Sequence, residues 1–360
     1  MDLHHIRLEL PSSGDCEISV QVDCAGGSRS LWYRFDAAYS QFIDSYNYDA
    51  FITGLILEAM HRGEDMTVHG PASAELLVGL HYYMHVMRAL YPHLKLISLR
   101  CRSTFSCRPP PAKKHTIANF SCGIDSYCTI LEHQVQPMPD GDRVSHLLFA
   151  NVGSHGRAEA GEALFHKRLL RIREAAADLR LPLLVVNSNL DSFYSLPFEA
   201  SHCARTVSSV LLFQSLFQRH LVPSTNAYAD FGPDGSMPVA DHLLSTQATR
   251  VIHDGAQYSR IEKSRRIAKW PAVRKWLYVC TRNTVDGGNC SECDKCVRAM
   301  LTFDLLGVKS HFESVFDYSN FTASKARYID KMKRLGTGAP NFYWKEIVEH
   351  ARASGYNLSD

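Results

Sequence analysis

Apolar and polar residues alternate through the first 36 positions: Ile18, Val20 and Val22 are followed, across Gly26-Gly27, by Leu31, Tyr33 and Phe35. A period of two gives the chain one apolar side, so this stretch predicts a β-hairpin or small antiparallel sheet. The period then changes. Residues 51–60 and 72–91 place apolar side chains at helical spacing, whereas 66–69 and 94–99 are short apolar runs of strand type. Together these predict an N-terminal α+β domain over residues 1–108.

The run Arg108-Pro-Pro-Pro-Ala-Lys-Lys114 closes that piece. Three successive prolines fix φ and remove three backbone donors, so neither a helix nor a central strand passes through them. Beyond this run, apolar strands at 116–120, 147–150 and 183–186 alternate with helices at 126–133, 158–179 and 204–217. Such alternation is the βαβ pattern of an α/β fold with a doubly wound parallel sheet, here spanning residues 114–279. Residues 280–360 predict a cysteine-bearing loop and short helices at 323–335 and 342–353, and nothing after Gly307 carries visible chemistry. No internal repeat or long low-complexity segment interrupts this plan.

Composition narrows the class without choosing a function. Hydrophobic residues make up 45% of the 360 and charged residues 21%, as in an ordinary globular protein. Thirty-nine basic and 37 acidic residues leave a formal charge of +2, so bulk electrostatics gives no reason to expect a nucleic-acid partner. The start has no basic run leading into an apolar core, and no stretch approaches the roughly 20 apolar residues that span a bilayer. These features predict a cytoplasmic protein without a membrane partner. In that setting eleven cysteines point to metal ligation, catalysis or simple burial rather than to a disulfide framework.

The segment Thr116-Ile-Ala-Asn-Phe-Ser-Cys-Gly-Ile-Asp-Ser126 places a strand before a tight turn, with a helix following. A junction of this kind aims backbone N–H groups and a helix N-terminus at one spot, an anion site by construction. Ser121 and Ser126 add hydroxyls, Gly123 permits close approach, and Asp125 suits either orienting the loop or holding Mg²⁺. A serine-capped turn with no ligand is the plain alternative. The segment resembles the PP-loop ATP pyrophosphatases, whose signature Ser-Gly-Gly-x-Asp-Ser is matched by Ser121, Gly123, Asp125 and Ser126. The resemblance implies ATP and Mg²⁺ held over Ser121, Cys122, Gly123, Ile124, Asp125 and Ser126. Cys122 stands where the family has its first glycine, a departure that leaves backbone approach unchanged only if φ there is negative.

Cys280, Cys290, Cys293 and Cys296 gather four thiols on one loop, three of them within seven residues. Thiolates at this spacing suit tetrahedral Zn²⁺, and four protein ligands leave no open position, so the role expected is structural. An iron–sulfur cluster or a redox pair is the competing use. With the phosphate loop, the cysteines are similar in order to 7-cyano-7-deazaguanine synthase and its relatives over residues 114–306. That resemblance implies an ATP-dependent ligase that adenylates a carboxylate, releases pyrophosphate and AMP, and makes an amide or nitrile. It also implies a substrate segment at Tyr228 and Asp230, and a phosphate role for Lys263 at the start of a helix. Turn chemistry, and a solvent-facing lysine, explain those residues as readily.

The additional N-terminal piece suits a protein or peptide acceptor beside a small carboxylate substrate, and a homodimer is compatible with the chain. Two other functions remain in view. Cys122 and Cys128 suit a sulfur-passing thiolase of transfer RNA or nucleobases, and Cys122 within the loop suits a catalytically weak nucleotide-binding module. His81 and His85 lie four apart, but Leu76, Leu80, Tyr83, Met84 and Met87 on the same helix predict packing. His253-Asp254 predicts a hydrogen-bonded loop pair.

Overall fold

The computed structural model describes residues 1–11, 14–105, 115–135, 143–282, 288–336 and 341–358. The proline run proposed as a domain boundary lies outside them. The first three strands, β1 (Asp2–Glu9), β2 (Asp15–Cys24) and β3 (Gly27–Asp36), form the antiparallel meander that the alternation predicts. There follow α1 (Asp49–Arg62), β4 (Met66–Ser73), α2 (Ala74–Leu90) and β5 (Leu99–Phe105). The strand expected at 94–99 is displaced. Tyr91 and Pro92 open a turn, and Leu94 and Ile97 are buried from a loop before β5 begins.

Next come β6 (His115–Asn119), α3 (Ile124–Val135), β7 (Val144–Asn151), α4 (Ala158–Leu179), β8 (Leu183–Ser188) and α5 (His202–Leu211). Two strands then appear that the apolar pattern did not suggest, β9 (Phe217–Pro223) and β10 (Arg250–Asp254). The helix expected through 217 therefore ends early. Among the described residues five further α-helices follow: α6 (Arg260–Ile267), α7 (Pro271–Trp276), α8 (Asp294–Leu305), α9 (Phe321–Leu335) and α10 (Phe342–Ser354). None of the described helices is long and apolar enough to cross a membrane.

The ten strands of the described residues belong to one mixed, mostly parallel sheet in the order β10-β9-β6-β7-β8-β3-β2-β1-β4-β5. Within it, β8-β7-β6-β9-β10 is a parallel block whose strand order reverses beside β6. Ligands of open α/β sheets bind beyond the carboxyl ends of strands at such a reversal, and the Ser121–Ser126 turn leaves β6 there. The N-terminal strands join this block through antiparallel pairing of Tyr33, Arg34 and Phe35 with Ser188, Asn187 and Val186.

Side-chain alternation feeds two cores. One contains Ile18, Tyr33, Phe35, Phe51, Leu148, Val186, Val207 and Phe213, so α1 and α5 pack on the same side of the joined sheet. The other gathers Ala118, Leu147, Phe149, Phe165, Val297 and Met300 beneath α3, α4 and α8. The buried Glu58 carboxylate of α1 adds a polar tie, accepting from Ser195 N at 2.9 Å, Leu196 N at 3.2 Å and Arg62 Nε at 2.7 Å. A carboxylate buried this deeply is tolerable because donors surround it.

This shared core sets a test of cooperativity. Phe35 pairs with β8 and meets Phe213 edge to face at 5.1 Å, so Phe35→Ala should cost about 3–5 kcal/mol of stability. Denaturant unfolding followed by tryptophan fluorescence and circular dichroism should still give coincident single transitions. Two separated transitions would mean that the N-terminal strands and the parallel block unfold independently.

Candidate functional site

The turn after β6 is built by its own short side chains. Gly123 N donates to Ser121 Oγ at 3.3 Å, Ser126 Oγ donates to the Gly123 carbonyl at 3.0 Å, and Ser121 N donates to Ser126 Oγ at 3.4 Å. Ser126 is thus a buried brace, while Ser121, Gly123, Ile124 and Asp125 face a cavity of about 400 Å³. A Cβ on Gly123 would meet Ser121 Oγ at 3.1 Å, so a side chain there would press on the turn.

Cys122 has φ +58°, the left-handed conformation that favours glycine and costs other residues about 1–2 kcal/mol. The condition under which cysteine would be neutral here is therefore not met. Its thiol points away from the cavity into the core, where burial pushes its pKa up to about 12. The Cys122 carbonyl accepts from Tyr278 N at 2.8 Å, which ties the turn to the strap preceding the cysteine loop.

Asp125 in the first turn of α3 is gripped from α6. Lys263 Nζ reaches its Oδ1 at 3.2 Å and Arg260 Nη1 its Oδ2 at 3.0 Å. The alternative of a solvent-facing Lys263 does not hold: it is 1% exposed and donates also to the Ser224 carbonyl at 2.5 Å. A capping box fixes the helix start, with Ser259 N donating to Glu262 Oε2 at 2.8 Å and Glu262 N to Ser259 Oγ at 3.3 Å. Arg260 and Lys263, three apart, then leave on one face. Burial opposes the Arg260 charge, but Asp125 and Tyr343 outweigh it and raise the pKa.

Five cations line the cavity, Arg168 and Arg171 from α4, Arg260 from α6, and Lys295 and Arg298 from α8. Asp125 is the only carboxylate among the described lining residues. Burial first, then neighbouring cations, lowers the pKa of Lys295 and of Arg298. Arg168 Nε is buried with no hydrogen-bond partner among the described residues. Tyr343 of α10 stacks on Arg298 at 4.1 Å and Arg260 at 5.3 Å and donates to Asn226 Oδ1 at 3.0 Å. His155, also lining the cavity, is pushed down to about 3 by burial and Arg168 and stands neutral. A site with this charge balance attracts a polyanion.

Sequence reasoning missed most of this wall. Arg168, Arg171, Arg260, Lys295 and Arg298 look like solvated helix charges until their helices are placed. The expectation that nothing after Gly307 carries chemistry is corrected by Tyr343, which α10 delivers into the cavity. Tyr228 and Asp230 lie in a short turn outside the lining, with Tyr228 60% exposed; Thr225 lines the cavity instead. His253 pairs with Asp241 at 2.8 Å rather than with Asp254, whose oxygens hold His133 at 2.9 Å and Thr129 at 2.7 Å. His81 and His85 are exposed on the outer face of a packing helix, as its apolar positions imply.

The four cysteines converge as their spacing predicts. The sulfurs of Cys280, Cys290, Cys293 and Cys296 all lie within 4.8 Å of one another, with Cys280–Cys293 and Cys290–Cys296 each at 3.9 Å. Tetrahedral ligation at about 2.3 Å from Zn²⁺ sets sulfur–sulfur separations near 3.8 Å, so this group fits one ion. Cys293 caps α8, Cys296 lies one turn inside it, and Cys293 N donates to Cys290 Sγ at 3.2 Å. Asn289 closes the loop, accepting from Val279 N at 2.9 Å and donating to the Leu277 and Val315 carbonyls.

Metal analysis should accordingly find about one zinc per chain, and Cys296→Ser should lower the melting temperature and the zinc content together. Iron with visible absorbance, or four freely reactive thiols with no metal, would contradict the single-ion fit.

Comparison of the chain with protein-family models, curated proteins and solved structures finds no match.

Proposed function

We propose that this protein is an ATP pyrophosphatase-type ligase of the PP-loop class, related in plan to 7-cyano-7-deazaguanine synthase. The observation that carries the proposal is the braced Ser121–Ser126 turn, at the strand-order reversal, opening on a cavity walled by five cations and one carboxylate. The turn offers backbone N–H groups to phosphate oxygens at the start of α3. Lys295, Arg298 and the α4 arginines neutralise the departing pyrophosphate, the charge that develops as a carboxylate oxygen attacks the α-phosphorus. Mg²⁺ accompanies the nucleotide, because both Asp125 oxygens already hold cations. The acyl-adenylate then passes its acyl group to ammonia or an amine, releasing AMP. A small carboxylate is the substrate, and the acceptor amine belongs to a small molecule or a peptide.

A sulfur-transfer reading gains nothing from the cysteines that suggested it. Cys122 and Cys128 are both fully buried, and burial pushes each thiol up to about 12, whereas a sulfur carrier needs an accessible thiolate. A binding module without turnover is separated from the ligase by the products it forms.

Incubation with α-labelled ATP, Mg²⁺, candidate carboxylates and an amine donor should yield AMP and pyrophosphate, with adenylate when the donor is withheld. Asp125→Asn should cut AMP formation by at least 100-fold, because Lys263 and Arg260 lose the anchor that orients them. ADP as the main product, or ATP bound and never cleaved, would overturn the ligase assignment.

A further inference from the structure

We propose that the four-cysteine metal site is a positioning element of the anion cavity, so that metal coordination and polyphosphate binding are thermodynamically coupled. This rests on the reading above only in taking a polyphosphate as the cavity's ligand. Two physical connections carry it, and neither is needed for a metal that merely staples a loop.

The first connection is α8. Lys295, Arg298, Ala299 and Thr302 all line the cavity, at offsets 0, 3, 4 and 7, which is one continuous helical face. The cap residue Cys293 and the first-turn residue Cys296 belong to the cysteine group. The ion would therefore fix the start of the same helix whose next face presents two cations. Those cations stand beside Arg260, and no carboxylate among the described residues lies within ion-pair distance of either. Holding them together without an anion is unfavourable, and the first turn of a helix is where such repulsion would fray it.

The second connection is the strap Tyr278-Val279-Cys280. All three residues line the cavity. Its first residue donates to the Cys122 carbonyl of the phosphate turn at 2.8 Å, and its last is itself one of the four cysteines. Asn289 accepts from the strap's middle amide at 2.9 Å, while Cys296 Sγ lies 4.0 Å from the same Asn289 oxygen. A displacement of Cys280 on loading or losing metal is thus passed to the turn through two residues of chain. Linkage then requires the reverse: an anion that settles the turn and α8 must also favour the metal-bound arrangement.

The test uses holoprotein with Co²⁺ exchanged into the cysteine site, whose thiolate charge-transfer and d–d bands report ligand geometry. The probe is an ATP analogue with a methylene bridge between the α- and β-phosphorus. The analogue should shift these bands with the half-saturation found calorimetrically for the zinc protein. The double variant Lys295→Gln/Arg298→Gln should keep one metal per chain and lose the spectral response. Zinc-depleted protein that retains its circular dichroism should bind the analogue at least fivefold more weakly. Calorimetric binding with unchanged Co²⁺ bands, or depleted and loaded protein binding alike within twofold, would overturn the coupling while leaving the nucleotide assignment standing. Absence of any binding to the metal-loaded protein would instead remove the nucleotide assignment, and the coupling with it.

Discussion

The ion triad of Asp125 with Lys263 and Arg260 is the constraint around which this site is organised. Lys263 is 1% exposed, and an ammonium group so deep in a protein is costly to bury without a close counter-charge. Asp125 supplies that charge from the first turn of α3, which fixes α6 against the Ser121–Ser126 turn. Arg260, held by the other oxygen, reaches on to the Thr225 carbonyl at 3.0 Å and lies over the Tyr343 ring. One carboxylate thus joins α3 to α6, 138 positions apart at Lys263, and through Arg260 to α10. Removing it would leave two cations facing each other, a change that mutational experience places among the costly ones.

The remaining cations stand in a different relation to their surroundings. Burial and then Arg260 oppose the charge on Arg298, burial and then Arg298 and Arg260 oppose that on Lys295, and the lowered pKa of each expresses that tension. Proteins hold such charge at the ends of helices when a ligand supplies the missing sign. The topology puts this surplus where ligands of parallel sheets bind, beyond β6 at the reversal of strand order. The cysteine loop and α10 complete the wall, so the C-terminal segment belongs to the site rather than trailing from it.

What the sequence disclosed follows from the range of the interactions involved. Local signals survived: the period-two hairpin, the strand–turn–helix at 116–126, and four thiols whose spacing alone brings them together. Non-local pairings did not. β9 reads as Phe-Gln-Arg-His-Leu-Val-Pro, too mixed for a buried strand, because His220 is neutralised by burial and held on Asn119 Oδ1 at 2.7 Å. Nothing local indicates that β3 will pair with β8 and extend the sheet. The cavity arginines carry the same spacing as surface charges, and only the packing of Phe165, Leu169 and Ile172 turns Arg168 and Arg171 inward. Cys122 shows the converse, a familiar turn with an unfamiliar residue, in which the backbone keeps a glycine-like φ and the thiol is buried.

Whether the cavity takes a nucleoside triphosphate is the claim on which the rest depends, and calorimetric titration of Mg²⁺ and ATP into the metal-loaded protein at several salt concentrations tests it most directly. One ATP should bind per chain, with affinity that weakens as salt rises and at least tenfold weaker binding in Arg298→Gln. Saturation by adenosine as readily as by ATP, or no binding at millimolar nucleotide, would contradict that claim.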